Sequence, residues 1–215
     1  MKTWLTAWRR RCPVSATMVV VCTVIYALAA VQTRSFDELW SGQLAESLVL
    51  WAPLVHDTQW GWLRPLTMAF FHLDLTHLVV NMVVLILVGS VVEPALGSAR
   101  YGLVSLSGTL GASAAVMAQA PMTPTAGASG TLFSLMVVAI AVARRRRNGT
   151  AALLALLGVN LGYTFLDPGV SVSGHLGGLL AGAIMAWPAT SSNRAARWGG
   201  TTVPALIAAA AIAAL

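Results

Sequence analysis

The chain has 215 residues, of which 57% are hydrophobic and only 9% charged, with a mean hydropathy of +0.76. Soluble domains carry about a quarter of their residues as charges, so this composition excludes an ordinary water-soluble domain and points to a membrane. The net charge of +6 does not indicate nucleic acid, because 11 of the 13 Lys and Arg fall in short clusters flanking apolar runs, the pattern that orients helices in a bilayer.

Apolar runs of about 17 to 25 residues mark spanning helices. A basic segment, 1–12, precedes a first run at 13–31. A basic start, an apolar stretch and Ala27-Leu28-Ala29 also fit a cleavable signal peptide, which leaves the remaining topology unchanged. Next comes a long segment, 33–71, punctuated by Trp40, Trp51, Trp60 and Trp62 together with Leu44, Leu48 and Leu50. It reads as short amphipathic pieces in the outer interface, where tryptophan prefers to sit. Further spans are expected at 77–96, 100–118, 129–143, 150–165 and 173–188. A linker from 189 leads to a short, Ala-rich seventh span at 201–215. The fold class is therefore all-α, a polytopic helical bundle with a six-span core over 13–188 and a short seventh helix.

With a cytoplasmic N-terminus, every cluster of Lys and Arg falls inside and only Arg34 and Arg64 remain outside, as the positive-inside rule requires. Cys12 and Cys22 lie too far apart along a helix to pair, and neither a disulfide framework nor a metal signature is present. No cofactor, metal or nucleic-acid partner is expected; membrane lipids are.

Under this topology four polar residues, His77, Asn81, Ser129 and His175, share the outer leaflet. Polar groups at membrane depth cost several kcal/mol by roughly any scale, so they persist mainly where they face the bundle interior. His77 and Asn81, four apart, share a helix face and can aim two donors at one point, as an oxyanion requires. Ser129 follows a Pro- and Gly-bearing loop and starts a helix, where free backbone N–H groups favour negative charge. His175 is the candidate base for its hydroxyl. Gly178 and Gly182 lie on the His175 face of the sixth span and permit a close approach to the fourth, while Gly127 and Gly130 keep the other side free of bulk. Singly, each feature has a plainer explanation in helix packing or capping. Together, in one leaflet and in complementary roles, they point to hydrolysis by an activated serine.

These motifs resemble the rhomboid family of intramembrane serine proteases. His72, His77 and Asn81 stand in the spacing His-x4-His-x3-Asn; Glu93 and Gly97 are similar to a Glu-x3-Gly segment; Gly127-Ala128-Ser129-Gly130 resembles Gly-x-Ser-Gly; and His175, Gly178 and Gly182 resemble His-x2-Gly-x3-Gly. The resemblance implies a Ser129–His175 dyad without an acidic third member, with Asp167 a loop residue on the outer surface. It implies an oxyanion hole formed by the side chains of His77 and Asn81 with the Ser129 N–H. His72 either shapes a water cavity or is structural. It further implies single-pass transmembrane substrates, met at the Trp-rich loop or between the second and fifth spans, and a multi-pass place in a bacterial plasma membrane with the site toward the external face. Two positions depart from the family: Leu63 stands where a tryptophan precedes Arg64, and Phe133 stands where a tyrosine packs on the histidine. A non-proteolytic relative that binds transmembrane clients is the main alternative, and a small transporter the second.

Overall fold

The computed structural model describes residues 2–215, with side chains from residue 5 onward; Met1 and the Lys2 side chain of the basic segment lie outside the described residues. Among these the protein is all-α, with one isolated backbone bridge and no strand. Helix α1 (Lys2–Arg11) leads into α2 (Pro13–Thr33); the long connection contains α3 (Gln43–Leu48), α4 (Pro53–Asp57) and α5 (Arg64–Thr67) with two 3-10 turns. Then follow α6 (Leu75–Leu96), α7 (Ser98–Gln119), α8 (Ser129–Arg145), α9 (Ala151–Leu166), α10 (Val172–Thr190) and α11 (Arg194–Ala214). They form a polytopic membrane bundle, in which α2, α6 and α7 are long and apolar enough to cross a bilayer by length and composition alone.

Local sequence sets the helix ends. Pro13 stands at the first turn of α2, where its missing N–H costs nothing. The buried Glu93 carboxylate accepts from Val14 N (2.8 Å), Ser15 N (2.9 Å) and the Ser15 hydroxyl (2.7 Å), so an anion of α6 caps the positive end of α2. Asp74 caps α6 by accepting from His77 N at 2.7 Å, and Ser171 caps α10 by accepting from Gly174 N at 3.2 Å. The last helix begins seven residues before the apolar tail at 201–215, because Asn193 caps it and Gly200 packs so closely on Pro188 that a Cβ there would stand 2.1 Å from the proline Cβ.

At the centre, α10 packs against α8 and α7 more extensively than any other pair of helices meets. Helix α8 is buried along almost its whole length yet has only 17 residues. At 1.5 Å per residue it spans about 25 Å, less than the roughly 30 Å hydrocarbon core of a bilayer.

The long connection is fastened to the segment that precedes α8. Leu50 and Thr125 exchange backbone hydrogen bonds (3.0 and 2.8 Å), Gly127 N donates to Met68 O (2.9 Å), and the Ser113 hydroxyl donates to Pro65 O (2.7 Å). Leu39, Leu50 and Phe71 are buried, whereas Trp40, Trp60 and Trp62 are exposed. The connection thus turns three indole rings outward, with Trp51 half-buried, while the backbone at Leu50, Pro65 and Met68 anchors the segments around the turn before Ser129.

Candidate active site

Ser129 is the first residue of α8, and its Oγ lies 2.7 Å from His175 Nε2 on the first turn of α10. Thr164 of α9 holds the opposite ring nitrogen: its Oγ1 is 2.7 Å from His175 Nδ1 and donates to Asn160 O at 2.8 Å. A hydroxyl has one proton. When Thr164 gives it to its own helix, it accepts from His175, the tautomer in which Nδ1 carries the imidazole proton and Nε2 turns a lone pair to the serine. That arrangement suits proton transfer from Ser129.

Two glycine contacts bring these helices together. A Cβ on Gly178 would stand 1.9 Å from the Gly130 carbonyl oxygen, and one on Gly182 would stand 2.7 Å from the Ser134 backbone. Gly130 in turn has no room for a side chain against Ala112 of α7, where a Cβ would approach to 2.4 Å. Backbone therefore meets backbone along the α8–α10 seam, and its separation is fixed by hard contact. The Phe133 ring lies 4.5 Å from the His175 ring, tilted by 34°, so an aromatic face backs the imidazole although the residue lacks a hydroxyl.

His77 reaches this turn as well. Gly127 has φ +122°, and a Cβ there would lie 2.7 Å from His77 Nε2, so only glycine permits both the turn and the ring beside it. One helical turn on, Asn81 is buried; its amide donates one hydrogen to His77 O at 2.8 Å, and its Oδ1 has no partner among the described residues. No side chain caps α8, which leaves the first-turn N–H groups, that of Ser129 included, without a side-chain acceptor. His72 is fully buried, edge-on to His77 at 5.0 Å, and neither of its ring nitrogens has a partner among the described residues. Burial, with His77 beside it, pushes the His72 imidazole down to about 3, so it is neutral at ordinary pH.

Thr164 is the site residue that reading the sequence misses. Its signal is there: Asn160 and Thr164, four apart, are a polar pair in a helix otherwise rich in Leu and Ala. Each satisfies a carbonyl four residues earlier, the usual role of such side chains in apolar helices, which hides the second contact of Thr164. The nearby acid, Asp167, is exposed and accepts instead from the Tyr163 hydroxyl and from Gly169 N. Arg64 docks without the tryptophan, its guanidinium donating to Val49 O (2.7 Å) and Glu46 O (2.5 Å) beyond and within α3.

The Rhomboid domain family matches residues 59–192. The chain is 35% identical over 130 residues to rhomboid protease GluP of Bacillus subtilis, covering 58% of this chain and 25% of that protein. It is 34% identical over 139 residues to RHOMBOID-like protein 2 of Arabidopsis thaliana, covering 61% and 43%, and 28% identical over 178 residues to YdcA of Bacillus subtilis, covering 78% and 87%. It thus spans a quarter of the first relative and less than half of the second. With the family match running over more than half of its length, the chain belongs to the rhomboid family.

Proposed function

We propose that this protein is an intramembrane serine protease that hydrolyses peptide bonds of single-pass membrane proteins, with residues 13–188 as its catalytic core. The observation that carries the proposal is the 2.7 Å hydrogen bond between Ser129 Oγ and His175 Nε2, made by residues of two different helices inside an apolar bundle. Ser129 Oγ attacks the scissile carbonyl as His175 Nε2 accepts its proton, and the imidazolium that forms is steadied by the Nδ1–H donated to Thr164. The tetrahedral oxyanion is held by His77, the second amide hydrogen of Asn81 and the Ser129 N–H at the positive end of α8. His175 returns the proton to the leaving amine, then activates a water that frees the acyl-serine. Thr164 is a positioning residue in this scheme, acting through the imidazole.

The topology that supports this reading puts the arginine clusters in the cytoplasm and Ser129 toward the external face. A peptide bond inside a helix is shielded by its own hydrogen bonds, so cleavage favours substrate segments already loosened by Gly, Pro or polar residues.

The test is cleavage of a single-pass reporter by the full chain reconstituted in vesicles. Ser129→Ala and His175→Ala, made separately, should each lower kcat by roughly four orders of magnitude or more, since members of one catalytic unit are not additive. Asn81→Ala should cost about a hundredfold to a thousandfold, the usual loss of one oxyanion donor. Cleavage at the wild-type rate by either dyad variant sinks the proposal.

A further inference from the structure

Four arginines surround a cavity of about 120 Å³ at the end of the bundle remote from Ser129, where α6, α8 and α10 finish and α7 and α11 begin. Arg100, Arg145, Arg146 and Arg197 line it together with the hydroxyl-bearing Thr190 and Ser191, and no carboxylate does. The acid nearest in sequence, Glu93 on the last turns of α6, is committed to Val14, Ser15 and Ser98.

Cations flanking a membrane helix are ordinarily explained by topology and by the helix dipole, and Arg145 and Arg146 at the negative end of α8 fit that account. Arg100 and Arg197 do not. They sit in the first turns of α7 and α11, the positive ends, where a cation is disfavoured. Their neutralisation within the protein is poor: Arg100 donates to Ala189 O across 3.4 Å, and Arg197 Nε is buried with no partner among the described residues. Like charges at two helix N-termini, with an unpaired buried donor and the Ser191 hydroxyl beside them, suit an anion, while the Thr190 hydroxyl donates to Ala186 O and Trp187 O of its own helix.

We propose that this cavity binds the phosphate of an anionic phospholipid. The surroundings favour a lipid over free phosphate: Leu180, Ile184 and Trp187 are exposed at helical spacing on α10, and Ser191 continues that stripe at the cavity. An acyl chain lying along the stripe places its headgroup among the arginines, as basic pockets between membrane helices do. The site stands apart from the proposed chemistry and does not depend on it.

The experiment compares retention of phosphatidylglycerol and phosphatidylcholine, matched in acyl chains, by the full chain in detergent, read by native mass spectrometry. Wild type should retain phosphatidylglycerol in preference. Arg145→Gln/Arg146→Gln should weaken that retention roughly tenfold or more, while Arg144→Gln/Arg147→Gln, which removes the same charge from arginines that do not line the cavity, should leave it within about twofold. Arg100→Gln gives a second route to the same fall. Equal loss in both double variants, no loss in either cavity variant, or equal retention of the two lipids overturns the proposal. So does displacement of phosphatidylglycerol by inorganic phosphate at matched concentration, which makes the cavity a free-phosphate site.

Discussion

The α8–α10 seam and helix α9 hold the same imidazole in opposite ways. Along the seam, Gly130, Gly178 and Gly182 let backbones touch, and no side chain can be added without moving a helix. On α9, added Cβ atoms at Gly158 and Gly162 would meet nothing within 4 Å, Thr164 is the one buried residue, and Val159, Phe165 and Leu166 lie exposed. The distance from Ser129 to His175 is thus set by hard contacts that resist sliding, whereas the far side of the ring meets one Thr164 hydroxyl on a helix that otherwise packs through the half-buried Leu153, Leu156, Leu157 and Leu161. Few buried contacts mean a low free energy for local displacement. A displacement of helix α9 would leave the Ser129–His175 seam in place but release the far side of the ring.

Of the substitutions that test this contrast, the largest expected effect lies on the seam. Gly178→Ala places a methyl within bonding range of the Gly130 carbonyl, so the helices must separate. Overpacking of this kind costs about 1–3 kcal/mol of stability. A displacement near 1 Å at a reacting pair is worth on the order of a hundredfold in rate. Thermal unfolding in detergent and reporter cleavage should both fall in this variant; normal cleavage would mean that the seam does not set the Ser129–His175 distance.

How legible each half was follows from the same contrast. His77, Asn81, Ser129 and His175 stand out in the sequence because polar groups in apolar helices are costly, and Gly178 and Gly182 stand out because small residues at helical spacing mark a close crossing. Helix periodicity alone then places them on shared faces. Thr164 does not stand out, because a threonine that bonds its own helix looks satisfied, and its contact with His175 depends on where α9 lies in three dimensions. The N-terminal extension of the last helix was hidden for a related reason: Asn193 and the Gly200–Pro188 contact start it within a polar stretch that hydropathy alone assigns to a linker. The Arg64 anchor was visible as a residue, but its two carbonyl acceptors were not, since backbone acceptors carry no sequence signature.

A smaller loss is expected where α9 meets the ring. Thr164→Val keeps the shape but removes the acceptor, leaving a buried N–H unpaired at a cost of about 1–3 kcal/mol. If that cost falls on the imidazolium-forming step, kcat drops roughly tenfold to a hundredfold with KM nearly unchanged. Thr164→Ser, which restores the hydroxyl, should recover most of the rate; a serine variant as slow as the valine one would assign the effect to packing and not to the hydrogen bond.

The smallest effect tests whether α9 is as loosely constrained as its glycines indicate. Gly158→Ala adds a methyl into open space and relieves the helix of a flexible residue, which is worth up to about 1 kcal/mol. For a chain of this length such a gain raises Tm by about 2–4 °C. Cleavage should stay within about twofold of wild type, because nothing near Gly158 bears on the Ser129–His175 distance and the Thr164 contact lies more than a turn away. The same substitution is therefore expected to damage the seam at Gly178 and to be harmless on α9. Should Gly158→Ala slow cleavage tenfold while stabilising the fold, α9 would have to move during turnover, and its sparse packing would belong to the reaction instead of lying outside it.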